Sequence, residues 1–399
     1  MIRLSGYLRP DMNVFNTRSA ITITCHKRLA VYLEAEVTEL GFQVEDTFIT
    51  GVRLTGSVSD CIKLNLSLRC ASQVLYSLQK FTANNADDIY RQLKDFPWEN
   101  LIPDPGYFSV TSNVMNDTIN NSMFANLRVK DAIVDRLRDQ RGTRPATGAE
   151  LIGTVVHLFW KNDEAEIFID TSGDSLARHG YRRIPGRAPM LEALAASTIL
   201  ATKWNRRTPF VNPMCGSGTL AIEAALIASN TRPGLFRDNF AFMHLREYKE
   251  SVYLEERGRL ESQITDEPEL EIIATDYSDQ AIENARKNAR AAGVSDMIRF
   301  KVCDFADTEV PQGGRGVMFI NPEYGERLGQ SSELTETYMR IGDFMKKKCG
   351  GYFGYVFTGN LELAKKIGLK ASRKIEFYTS TIDCRLLEYE LYEGSRRPA

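Results

Sequence analysis

The sequence predicts an α/β protein: a parallel, doubly wound sheet in the C-terminal part, preceded by a smaller α+β region. Three observations predict it. From about residue 187, strand-like and helical runs alternate: "PFVNP", "TLAIEAALIA", "LEIIATD", "SDQAIENARKNARAAG", "IRFKVCD", "GVMFIN", "ETYMRIGDFMKKK", "GYFGYVFT". Parallel neighbours need a crossover between them, usually a helix, so this order marks a parallel sheet. The closing run "KIEFYTSTIDCRLLEYELY" holds two strands with no helix between them, which fits an antiparallel hairpin at the sheet edge. Before residue 170 the alternation is missing, and hairpin-like and helical runs are mixed.

Taken in order, residues 1–58 read as a small α+β unit. "SAITITC" alternates as a strand, "KRLAVYLEAEVTELGF" has helical spacing closed by Gly41, and "EDTFITGVRLTGS" reads as strands. Residues 59–170 follow. Here "DCIKLNLSLRC" alternates as a strand, and "ADDIYRQLKDF" and "RVKDAIVDRLRDQRG" are helical. "IGTVVHLFWKNDEAEIFIDTSG" is a hairpin around a polar turn. In the last part, residues 171–399, "PMLEALAASTILATKW" sets Leu191, Leu194, Ala195 and Ile199 on one helical face.

Composition narrows the function classes. At 399 residues the chain can bury two or three cores. Its seven cysteines form no C-x-x-C pair, which fits reduced thiols. The four histidines are far apart, so no metal site is expected. No run of about 18 apolar residues spans a membrane, and "MIRLSGYLRPDMNVFNTRS" has no signal-peptide core. A cytoplasmic protein is expected. The net charge of -2 excludes a globally basic nucleic-acid binder, but charge is uneven. Arg178, Arg182, Arg183, Arg187, Lys203, Arg206 and Arg207 face one acid, Glu192, across their segment. Such a patch suits local phosphate contact, or a solvated surface. Lys346, Lys347 and Lys348 read as a solvated helix face.

Four strand tips carry the chemistry. Asn212 ends the first strand, before Cys215-Gly216-Ser217-Gly218-Thr219 and an apolar helix. Glycines here permit a sharp turn and close ligand approach, and the helix N-terminus offers free N–H groups. The loop has no P-loop lysine, and a tight structural turn is the alternative. Asp276 ends the second strand, where an acid can hold ribose hydroxyls. Ser278 and Gly293 cap the next helix. The insertion between these tips is rich in phenylalanine (Phe236, Phe240, Phe242) and could cover a ligand. Asp304 ends the third strand and could accept from an adenine amino group with Phe305 beside the ring; a surface acid is the alternative. Asn321-Pro322-Glu323-Tyr324 ends the fourth. The lone pair of an aromatic amine is delocalised. Two acceptors, the Asn321 oxygen and the Pro322 carbonyl, could localise it, and Tyr324 could stack on the base. An Asn-Pro turn with a packed tyrosine is the alternative.

With these tips in order, the chain resembles class I S-adenosylmethionine-dependent methyltransferases of the amino-methylating group, whose signature is Asp/Asn-Pro-Pro-aromatic. "DTSGDSLARHGYRRIPGRAPMLEALAASTILATKW", "NPMCGSGTLAIEAALIA" with "RPGLFR", "NPEYGERLG" and "TIDCRLLEYEL" resemble the THUMP-domain RNA methyltransferases. Among these the chain is most similar to enzymes forming N2-methylguanine in 23S ribosomal RNA. The resemblance implies a Rossmann-like class I sheet behind a ferredoxin-like region (1–58) and an RNA-docking THUMP domain (59–170). It implies S-adenosyl-L-methionine as cofactor and 23S rRNA, or a large-subunit precursor, as partner. It places the cofactor at Asn212, Cys215, Gly216, Gly218, Thr219, Asp276, Asp304 and Phe305. It places the target amine at Asn321, Pro322 and Tyr324, and RNA contact at Arg182, Arg183 and Arg187. Fused family members carry a second methyltransferase domain; this chain closes at "YEGSRRPA", so one chemistry is expected.

Two departures stand out. Glu323 replaces the second proline of the signature, and "YTSTIDC" replaces an Asn-Gly turn in the final hairpin. Without a proline at 323, Pro322 escapes the pre-proline restriction. Glu323 reads as a bystander bonded to loop N–H groups or Arg327, or as a proton acceptor beside the base. A DNA adenine-N6 methyltransferase and a non-catalytic RNA-binding or ribosome-assembly protein remain as alternatives.

Overall fold

A computed structural model describes residues 13–116, 122–184, 189–265, 270–324, 331–379 and 381–392. The chain divides into two compact units. The first contains β1 (Ser19–Cys25), most of α1 (Ala30–Glu39), β2 (Asp46–Phe48), β3 (Gly51–Gly56), α2 (Val58–Ser67), β4 (Ala71–Thr82) and α3 (Ala86–Lys94). It continues with β5 (Tyr107–Met115), α4 (Ser122–Arg141), β6 (Ala146–Thr147), β7 (Thr154–Lys161) and β8 (Glu164–Asp170). Its eight strands form one sheet in the order β2-β3-β1-β4-β8-β7-β5-β6. Strand β1 pairs antiparallel with both β3 and β4, so the ladder is continuous across residue 58. The expected hairpin is β7–β8.

One expectation is corrected. "DCIKLNLSLRC" is not a strand: all but its last three residues lie in α2. Ser57 caps that helix in a reciprocal box with Asp60, each side chain bonding the other's backbone N–H. The alternation of Ile62, Leu64 and Leu66 mimics a strand because α2 is buried on most sides, which erases an amphipathic period. The strand comes later, as β4.

The second unit begins with α5 (Glu192–Leu200), β9 (Phe210–Pro213) and α6 (Thr219–Ala228). The insertion then carries α7 (Glu250–Glu261), and Arg237–Arg259 belongs to the first unit. Phe240 and Phe242 stack at 5.1 Å and are fully buried, with Tyr253 beside them. These two rings are core; they do not cover a ligand. The second unit resumes with β10 (Ile272–Asp276), α8 (Asp279–Ala291), β11 (Ile298–Val302), β12 (Val317–Ile320), α9 (Ser331–Lys348), β13 (Phe353–Thr358), α10 (Leu361–Lys365), β14 (Arg373–Thr379) and β15 (Ile382–Glu390). Its sheet runs β11-β10-β9-β12-β13-β15-β14. The first five are parallel, and β15 and β14 add antiparallel at one edge, as expected. The order reverses between β9 and β12, which is where open α/β sheets bind ligands at their strand C-termini.

Ser57→Ala removes one member of the capping box and should cost about 1 kcal/mol of local stability. Hydrogen exchange of α2 amides is the readout, and unchanged protection would contradict the capping account.

Candidate active site

The site is assembled from the C-terminal ends of β9, β10, β11 and β12. Strands β9 and β12 pair only at Phe210–Val317 and Val211–Met318. Past that point they part, and Asn212 spans the gap: its amide Nδ2 donates to the Phe319 carbonyl at 2.8 Å. Asn212 Oδ1 is buried and finds no partner among the described residues.

Beyond β9 the loop turns toward β10. The Cys215 N–H donates to the Thr275 carbonyl at 2.9 Å, and the Gly216 N–H to Asp276 Oδ2 at 3.0 Å. Asp276 Oδ1 takes the Ser278 N–H at 3.0 Å. Each carboxylate oxygen keeps a lone pair for a ligand hydroxyl. Gly216 sits at φ +55, and a Cβ there would meet nothing within 4 Å, so the backbone borders open space. Gly218, at φ +84, serves packing instead: its Cβ would lie 2.9 Å from the Ala285 Cβ of α8. Helix α6 starts without a side-chain cap, leaving its leading N–H groups for an anion. Burial, assisted by the Asp276 charge, pushes the Cys215 thiol far above its ordinary value, so it is no ready thiolate.

Asn288 was not singled out from the sequence, yet it brackets this loop. Its Oδ1 accepts from the Arg183 and Ile184 N–H groups at 3.0 Å each. Its Nδ2 donates to the Ile184 and Ser217 carbonyls at 3.0 and 3.2 Å. The preceding linker is thereby tied to the glycine loop. Arg182 is also turned inward: it donates to the Met190 carbonyl at 2.5 Å and to Thr219 Oγ1 at 3.0 Å, and pairs with Glu192 at 3.5 Å. Of the three arginines read as RNA contacts, Arg183 is exposed, Arg182 is largely enclosed, and Arg187 lies outside the described residues.

At the tip of β11, Asp304 Oδ1 accepts from the Ala306 N–H at 2.8 Å and from Arg340 at 2.7 Å. Phe305 is 6% exposed and edge-on to Phe344, so its ring belongs to the core. Tyr277, directly after Asp276, is 78% exposed and holds an open ring at the same edge. The residues present fit an adenosine-bearing ligand: a carboxylate for hydroxyls, a second carboxylate, an open ring, and a glycine cradle bordering open space.

At the tip of β12, Asn321 Oδ1 is buried without a partner among the described residues. Pro322 is buried and Glu323 is exposed. Arg327, the partner weighed for Glu323, lies outside the described residues. The Tyr324 ring is edge-on to Phe357 at 6.4 Å, and its hydroxyl lies 3.8 Å from the Cys384 thiol. Burial raises the Tyr324 phenol well above its ordinary value, so it stays protonated and is no base. The ring lies against bare Gly359, whose Cβ would come within 2.9 Å of it. Among the described residues no cluster of histidine, cysteine and carboxylate could hold a metal, and no helix is long and apolar enough to cross a membrane.

A family model described as "RMKL-like, methyltransferase domain" matches residues 179–388, more than half of the chain. The chain belongs to the RMKL-like methyltransferase family. A THUMP domain matches residues 83–170, and an RlmL ferredoxin-like domain matches residues 20–75. "Ribosomal RNA large subunit methyltransferase K/L" of Syntrophotalea carbinolica is 37% identical over 93% of this chain and 53% of its own length. A Synechocystis protein named "Putative RNA methyltransferase slr0064" is 31% identical over 96% of this chain and 100% of its own. The crystal structure of SMU.472, "a putative methyltransferase complexed with SAH", superposes with a TM-score of 0.86 at 26% identity, covering 95% of this chain and 100% of that one. This RMKL-like chain spans about half the length of the K/L relatives it matches. The class I methyltransferase sheet and the THUMP-containing front half are thus both present.

Two substitutions test the geometry. Cys215→Ala should leave methyl transfer within about threefold, since no thiolate is available; a dead variant would restore covalent catalysis. Gly359→Ala should displace Tyr324 and lower kcat/KM by about 10- to 100-fold while S-adenosylhomocysteine affinity holds. Equal loss of both would count against a local effect.

Proposed function

We propose that this protein is an S-adenosylmethionine-dependent methyltransferase of the exocyclic N2 of a guanine in 23S rRNA, acting in the cytoplasm on a base flipped into the Asn321–Tyr324 site. The observation that carries the reading is the buried Asn321 Oδ1 at the tip of β12, which has no partner among the described residues. A buried acceptor without a donor costs about 1–3 kcal/mol, and an amine N–H supplies the missing partner. Asn321 Oδ1 and the Pro322 carbonyl each take one amine hydrogen, which turns the nitrogen lone pair out of conjugation. Tyr324 stacks on the extruded base, an interaction of about 1–3 kcal/mol. Residues 59–170 hold the folded RNA from which the base is drawn, and residues 171–399 carry the catalytic sheet.

S-adenosylmethionine, when bound, supplies an electrophilic methyl group. Asp276 holds its ribose, Asp304 its adenine, and the Gly216–Thr219 loop its amino-acid end. The chain's own contribution is alignment of nitrogen and methyl, and the amine proton passes to solvent. Glu323, being exposed, is a bystander in this reading.

The assay uses labelled S-adenosylmethionine with undermodified 23S rRNA, its assembled subunit and duplex DNA, followed by nucleoside analysis. N2-methylguanosine is expected from an RNA substrate. N6-methyladenine, or binding of cofactor without transfer to any substrate, would overturn the reading. Asn321→Ala should lose about 10²- to 10³-fold in kcat, and Glu323→Gln should keep most activity. A Gln variant as impaired as the Ala variant would move Glu323 into the chemistry.

A further inference from the structure

Arg340 stands on α9, outside every motif discussed above. Its guanidinium meets Asp304 Oδ1 at 2.7 Å and lies 4.9 Å over the Phe305 ring. That ring is edge-on to Phe344 of the same helix, at 6.3 Å and 85°. The Ala306 N–H reaches the same Asp304 oxygen at 2.8 Å. Two donors from two packed elements converge on one carboxylate oxygen, and this fixes the carboxylate plane. The other oxygen, Oδ2, accepts from none of the described residues.

We propose that Arg340 is a positioning residue that sets the base specificity of the cofactor pocket, by holding Asp304 Oδ2 as a fixed, ionised acceptor for the adenine amino group. The proposal rests on the assignment of Asp304 to the adenine. An adenine presents N–H donors at its C6 substituent, whereas hypoxanthine presents an oxygen that a carboxylate repels. A carboxyl free to rotate, or to take up a proton, would tolerate both. Burial alone would raise the Asp304 carboxyl, but its bonds to Arg340 and the Ala306 N–H hold it below the ordinary value. A depressed value means that the acceptor is present above the ordinary carboxylate range and is lost only as pH falls through the lowered value. Arg340 is half-exposed, and Arg340→Met keeps much of its apolar stem over Phe305 while deleting the charged fork. This separates orientation of Asp304 from simple packing.

Calorimetry on the full chain tests this with S-adenosylhomocysteine and S-inosylhomocysteine, its hypoxanthine counterpart. The unmodified protein should prefer the adenine ligand by about tenfold or more. Arg340→Met should narrow that ratio to about threefold, chiefly by weakening the adenine ligand, and Arg340→Lys should recover part of it. Equal weakening of both ligands, or an unchanged ratio, overturns the proposal. Asp304→Asn separates the two levels. If it narrows the ratio while Arg340→Met does not, the adenine assignment stands and the role of Arg340 falls. If Asp304→Asn keeps the ratio, the adenine assignment itself fails, and the proposal falls with it.

Discussion

The amide of Asn212 carries the sheet across the point where two strands part. Strands β9 and β12 share only two paired positions, and the Asn212–Phe319 bond continues the connection from a side chain. A backbone ladder there would keep the strands side by side. With the side chain as bridge, β9 is free to turn toward β10, where Thr275 and Asp276 receive it. Strand β12 continues along β13 as far as Ile320, one residue before Asn321. The crevice, the glycine loop on one side and the amine-facing turn on the other all follow from that divergence.

Asp276 extends the same logic. Its two oxygens accept from N–H groups on opposite sides of the β10 tip, one in the glycine loop and one at the start of α8. Helix α8 then returns the constraint twice. Ala285 leaves no room for a Cβ at Gly218, and Asn288 holds Ser217 together with the incoming linker. The cradle is therefore clamped from β10, from α8 and from the linker before any ligand contributes.

Legibility in the sequence follows the range of the interactions. Ser278 and Gly293 could be read because a cap bonds its own first or last turn, and both occupy those positions: Ser278 accepts from the Ala281 N–H, and Gly293 has φ +67. The strand tips were legible because apolar runs ending in Asn or Asp locate the sheet edge. The burial of α2 is the difficulty in "DCIKLNLSLRC": a helix enclosed on most sides shows no polar face, its apolar residues alternate like a strand, and its local signal lies in Ser57 with Asp60. Asn288 and Arg340 left no local trace. The partners of Asn288 lie 71 to 105 residues away, and Asp304 lies 36 residues from Arg340. Gly359 likewise gains its meaning only once Tyr324 lies against it.

Two of the buried oxygens that find no partner among the described residues, on Asn212 and Asn321, stand at the ends of adjacent strands at the crevice. Each is an acceptor that folding alone does not satisfy, at a cost of about 1–3 kcal/mol each. A chain selected for stability alone would replace them with apolar side chains of similar shape, which is often neutral or better. The Asn212 amide has a structural reason to stay, because its nitrogen bridges the strands. No described bond gives the Asn321 oxygen such a reason. Its retention is explained if its donor arrives with the substrate, because the binding step then recovers the desolvation already incurred in folding. On that account the impairment of an Asn321→Ala variant should be catalytic, with stability unchanged or slightly raised. An Asn212→Ala variant should lose both, since it breaks the bridge on which the crevice depends.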